Sequence, residues 1–134
     1  MLNEINNQLQ YIRKAVYAVP TPAPELVADI QKIDNKLYEI RKDFYGDNLA
    51  GQLDMGTKTP PATRIGYLTG EMWESTSSPT QTQRDALKLA GDAFLPILAR
   101  IKAVMDQDLE QLKRKLEKAG APYTPGREVD WSKN

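Results

Sequence analysis

The sequence predicts an all-α fold, an up-and-down bundle of four helices, and three observations carry that prediction. Apolar residues recur at steps of three and four along most of the chain, which lays one apolar stripe on each helix. Proline, glycine and serine cluster between these stretches and supply start and stop signals. The first connection is short, so the helices it joins run antiparallel with their apolar faces together. Helices are expected at about 2–19, 24–45, 63–75 and 79–119, followed by an extended tail over 120–134, all within a single helical domain spanning 1–134.

In the first helix Ile5, Leu9, Ile12, Val16 and Val19 alternate steps of four and three. It ends at Val19-Pro20. The segment from Pro20 to Pro24 makes a stiff reversal, because each proline pushes its predecessor out of the α region. The second helix starts near Pro24 with a seam of Leu26, Ile30, Ile33, Leu37, Ile40 and Phe44. Asp29, Lys32, Lys36, Glu39 and Lys42 lie mostly on its other side, and Gly46 stops it. Residues 47–63 hold Gly51, Gly56, Pro60 and Pro61 without a sustained period. This is the longest loop; a loop of this length is either functional or packed down by its own side chains, and packing by Leu49, Leu53 and Met55 is the expectation. A third helix, capped at Thr63 or just before, carries Ile65, Leu68 and Met72 on its seam with Trp73 beside it. Gly66 and Gly70 each weaken it by about 1 kcal/mol relative to alanine, and are expected to admit a second helix at close range.

The last helix is the one the others must cover. Ser78 is its expected N-cap, with Pro79 at the first helical position and Gln81 reaching back to the cap. Its stripe runs through Leu87, Ala90, Phe94, Ile97, Ile101 and Val104, and burial is expected of Leu37, Ile40, Phe94 and Ile101. Pro96 lies inside this helix, so a kink is expected between Asp92 and Pro96, helped by Gly91. Beyond it the stripe changes phase, running Ile101, Met105, Leu109, Leu112, Leu116 and Ala119, a shift like a coiled-coil stutter. Glu110 with Arg114 and Lys113 with Glu117 form i, i+4 pairs, and Lys113-Arg114-Lys115 reads as a solvated face. A helix of about forty residues is near 60 Å long against about 30 Å for the first two. The surplus requires either the kink or pairing of the Met105 to Leu116 stripe with a second molecule or a larger parent. Gly120 and Pro122 end the helix. Thr124-Pro125-Gly126-Arg127 has type II turn chemistry, which is expected to return Tyr123, Val129 and Trp131 to the bundle surface.

Composition removes most chemistry. The chain has no cysteine and no histidine, which excludes disulfides, thiol nucleophiles, the usual zinc sets and the Glu-x-x-His pairs of a di-metal bundle. Eighteen basic residues balance eighteen acidic ones, so no net field draws the domain to nucleic acid. The N-terminus has neither a basic nor an apolar signal region, and no span has the length for membrane insertion. Carboxylates recur at Glu71, Glu74, Asp106, Asp108 and Glu110. Asp106 and Asp108, two apart on a helix, face different ways and cannot share a substrate, and nothing around Glu71 and Glu74 marks a cleft. Tyr11, Tyr17, Tyr38, Tyr45, Tyr67 and Trp73 flank the seams and read as core or rim packing. The sequence therefore assigns no catalytic, cofactor-binding or metal residue.

The stretches Ser77-Ser78-Pro79-Thr80-Gln81-Thr82-Gln83, Leu95-Pro96 and Gly120-Ala121-Pro122-Tyr123-Thr124-Pro125-Gly126-Arg127, with Gln8-Leu9-Gln10-Tyr11-Ile12-Arg13-Lys14-Ala15-Val16, carry a resemblance. Together they resemble the helical C-terminal region of bacterial exported proteins. The body of those proteins is a sialidase-like β-propeller of Asp-box (BNR) repeats, often labelled glycosyl hydrolase or sortilin-like. The resemblance implies a non-catalytic accessory module that caps, spaces or joins the propeller of an exported parent. It transfers no catalytic residue, and no Asp-box motif occurs in the chain. The rival expectation is a module that oligomerises or grips a partner through the long last helix. An independent hydrolase is disfavoured by the missing histidine and cysteine.

Overall fold

A computed structural model describes residues 1–21, 23–47, 58–74 and 78–126. Its fold is all-α, and among the described residues there is no strand. The helices are α1 (Leu2–Tyr17), α2 (Pro24–Tyr45), α3 (Pro61–Glu74) and α4 (Gln81–Ala103). A π-helical segment, Val104–Leu109, joins α4 without a break to α5 (Glu110–Lys118). The last helix of the sequence reading is thus one continuous helical stretch from 81 to 118. The chain divides into two compact units, Met1–Lys36 with Ile101–Asn134, and Leu37–Arg100. Both crossings fall inside helices, α2 and α4.

In the first unit Ile5, Leu9, Ile12 and Ala15 of α1, Leu26, Ile30 and Ile33 of α2, and Ile101, Val104, Leu109, Leu112 and Leu116 of the last stretch are buried. Ala15 takes the inner position expected of Val16, which is half-buried, and α1 stops at Tyr17 rather than at Val19. The backbone N–H groups of Ala18 and Val19 already donate three residues back, to Ala15 and Val16, so the helix tightens and unwinds ahead of Pro20.

In the second unit Leu37, Ile40, Leu68, Ala90 and Ile97 are buried. Phe94 is only half-buried, against the expectation of full burial, with its ring 5.6 Å from that of Phe44. Leu87 is no part of the inner stripe and is 50% exposed. Gly46 ends α2 at φ +89°, its N–H donating to the Lys42 carbonyl, and a Cβ there would stand 2.6 Å from Pro60 Cγ. α3 begins at Pro61, two residues before Thr63, because proline is preset for the first helical position and the Pro60 carbonyl accepts from Arg64 N–H. No helix among the described residues comes close to Gly66 or Gly70, since a Cβ at either would meet nothing within 4 Å. The expected packing role of these glycines is not realised there. The loop residues Leu49, Leu53 and Met55, and the side chains of Glu71, Met72, Trp73 and Glu74, lie outside the described residues.

The long stretch starts two residues later than its first serine suggests. Thr80 N–H donates to Gln83 Oε1 at 2.9 Å, and Thr80 Oγ1 accepts from Gln83 N–H at 3.3 Å, a reciprocal capping box. The side chain of Gln81 is engaged elsewhere, donating to Asp85 at 2.9 Å. α4 then continues through Pro96 without interruption. The phase change is resolved by the π-helical segment. Val104 and Leu109 are five residues apart, which in an α-helix would place them about 140° apart around the axis. A π turn closes over five residues, so both return to the core, 2% and 1% exposed, and Met105 is left half-buried. Leu109, Leu112 and Leu116 are therefore covered within the chain, and the surplus of the long helix is not at Met105 to Leu116.

Candidate functional site

Three features of the surface bear on chemistry: the charged faces, the tail and the exposed apolar residues. In the first unit α2 and the last stretch meet across a groove lined by Asp29, Lys32, Ile33, Lys36, Asp108 and Lys115. Lys36 Nζ donates to both Asp108 oxygens, at 2.7 and 2.9 Å, and Lys115 donates to Asp29. Asp29 and Lys36 stand two turns apart on α2, as Asp108 and Lys115 do on the last stretch, so the reciprocal pairs fix an antiparallel register. Lys115 donates to the Asp29 carboxylate and so holds its pKa below the usual value, against an upward push from burial, and Lys32 adds to the lowering. The same bond holds the Lys115 ammonium above the usual lysine value. Arg13 of α1 clamps both oxygens of Asp34 at 2.5 Å. These charges satisfy one another. Asp106 is exposed and does not join Asp108, as the helix spacing required. Among the described residues no cluster of three or more acidic side chains is placed to hold a metal ion.

In the described part of the tail, residues 120–126, the buried residues are Ala121 and Thr124 and not Tyr123. Gly120, at φ +70°, closes a Schellman motif: Ala121 N–H donates to Leu116 O, and Gly120 N–H to Glu117 O. Gly126 has φ +81°, as the third position of a type II turn requires. Ala121 and Thr124 are buried, while Tyr123 is 62% exposed; Val129 and Trp131 lie outside the described residues. Lys113, expected on a solvated face, is 7% exposed, and its ammonium donates to Gly126 O at 2.8 Å and to Glu110 at 2.7 Å. Among the described residues, Gln8 Oε1 and Thr124 Oγ1 are buried without a hydrogen-bond partner.

The remaining feature is apolar. Leu87, Leu89 and Leu95 on α4 are 50%, 57% and 62% exposed, and all six tyrosines of the chain are exposed as well. Leu87, Gly91 and Leu95 follow one another at steps of four and form a row beside the inner face that carries Ala90, Phe94 and Ile97. A Cβ on Gly91 would meet nothing within 4 Å, so the row is open. On α3, Thr63, Gly66, Tyr67 and Gly70 line a shallow, mostly apolar hollow. The sequence spacing puts Leu87 on the inner stripe and gives Leu95 no place on it. The missed signal is the step of four through glycine, which turns away from the centre of the inner stripe by about 60° at Leu87 and about 140° at Leu95.

No family model matches this chain, nor does any curated protein or any solved structure. The resemblance to propeller-protein C-terminal regions thus rests on the quoted motifs alone. No described helix is long and apolar enough to cross a membrane.

Proposed function

We propose that this chain is a non-catalytic helical module whose work is association, through the outer apolar row of its long helix. One observation carries the reading: Leu87 and Leu95 are at least half exposed on either side of an open Gly91. Singly scattered leucines need no explanation, whereas an unbroken row on one helix face costs solvation in a free monomer. In an exported parent, as the resemblance expects, the propeller body is one surface such a module would cap or join. Asp-box repeats encoded upstream of Met1 would support that context, and a parent without them would remove it.

Replacing Leu87 and Leu95 together by glutamate tests the reading. Helicity and melting temperature are expected to change by no more than a few degrees, because the row does not serve the chain's own core. A collapse of stability would assign both leucines to folding and sink the proposal. Turnover of a glycoside or peptide by the pure chain, lost in Glu71→Gln, would equally overturn the non-catalytic part.

A further inference from the structure

We infer that a second copy of this chain covers the Leu87–Gly91–Leu95 row, with the two α4 helices crossing antiparallel and Gly91 on the two-fold axis. The inference rests on the association reading and supplies its partner. The row is self-complementary: Leu87 and Leu95 stand four residues either side of Gly91, so an antiparallel copy sets Leu87 of one chain against Leu95 of the other at both ends. Gly91 at the centre, with open space where a Cβ would be, lets the two backbones approach at the crossing point.

The flanking charges have the same symmetry. Lys88 and Asp92 lie on one flank of the row, about 100° and 140° around the helix from Leu87, and both are exposed. Lys88 is about 4.5 Å before the axis and Asp92 about 1.5 Å after it. A two-fold axis perpendicular to antiparallel helices keeps this flank on the same side in both copies. Lys88 of one chain then faces Asp92 of the other, about 3 Å apart along the axis, twice over. Among the described residues neither has an ion-pair partner in its own chain. Zero net charge adds no general repulsion between copies. One helix face against another buries less than a standard interface, so the dimer is weak and depends on concentration.

Sedimentation equilibrium on the whole chain at low salt, from micromolar to millimolar, tests this with two charge reversals. The unaltered chain is expected to move toward dimer mass as concentration rises. Lys88→Glu alone and Asp92→Lys alone each place two like-charge contacts in the pair, and each is expected to weaken association roughly tenfold or more. An equimolar mixture of the two variants is expected to restore it, because both contacts across that hetero-pair join opposite charges. Oxidative cross-linking gives an independent reading, since the chain has no cysteine of its own. Gly91→Cys should form a disulfide-linked dimer much faster than Ala93→Cys, which faces away from the row. A strict monomer at millimolar concentration, a mixture no better than its parts, or equal cross-linking rates would overturn the inference. If the chain is monomeric while Leu87→Glu with Leu95→Glu still leaves the fold intact, only self-pairing fails and the association reading stands. If that double variant unfolds, both fail.

Discussion

Glycine shows how much the meaning of a residue depends on what surrounds it. A Cβ at Gly46, a helix stop, would collide with Pro60 in a left-handed backbone, whereas one at Gly66 or Gly70, inside a helix, would enter open space. Gly66→Ala and Gly70→Ala are therefore each expected to stabilise the chain by about 1 kcal/mol, while Gly46→Ala should destabilise it by about 1–2 kcal/mol or more. Chemical denaturation reads both signs. If the α3 alanines destabilise instead, something packs on that face. Lys113 makes the same point for charge. Its place in a Lys-Arg-Lys run suggested solvent, and the Gly126 carbonyl, thirteen residues on, draws its ammonium inward.

Among the elements, the joint between α4 and α5 is the most specific to this chain. The buried series Ile101, Val104, Leu109, Leu112 and Leu116 contains one step of five, and a π-helical segment absorbs the extra residue. Deleting Gln107, which is exposed, leaves Val104 and Leu109 four apart and keeps Asp108 for Lys36. That variant is expected to form a regular α-helix with a melting temperature within a few degrees of the original or above it. Deleting Arg114 instead turns Leu116 about 100° off the core and should cost on the order of 3 kcal/mol. Equal losses for the two deletions in thermal melts would mean that the π turn is not a single-residue insertion. The caps follow the same economy of local signals: two Thr/Ser-x-x-Gln boxes overlap at Ser78 and Thr80, and the one whose glutamine is free to turn back is the one that forms.

At the scale of the whole molecule the cross-helix ion pairs set a pH window. The lowered pKa of Asp29 means that its contribution is present above the ordinary aspartate range, and fades as pH falls below about 4 and the carboxylate protonates. The raised pKa of Lys115 means that the same contact is present below the ordinary lysine range, and fades as pH rises beyond about 10.4. Both groups are solvent-screened, so the effect is modest. The stability difference between the chain and Asp29→Asn should be positive at pH 7 and shrink toward zero at both extremes. A difference that stays constant from pH 2 to pH 7 would assign it to packing.

Legible along the chain are the all-α class, the four helices within a few residues, the stops at Gly46 and Gly120, the inner faces of α1 and α2, and a change of phase after Ile101. These are properties of a few consecutive turns, where spacing, caps and backbone preference act over short separations and can be read along the chain. Tertiary contacts alone bring Asp29 to Lys115 and Asp108 to Lys36, bury Lys113 and Thr124, and leave Leu87 and Leu95 exposed. Each of those depends on which residues come together across long stretches of chain. An apolar stripe records that a face avoids water, and it carries no record of whether its own chain or another molecule covers it.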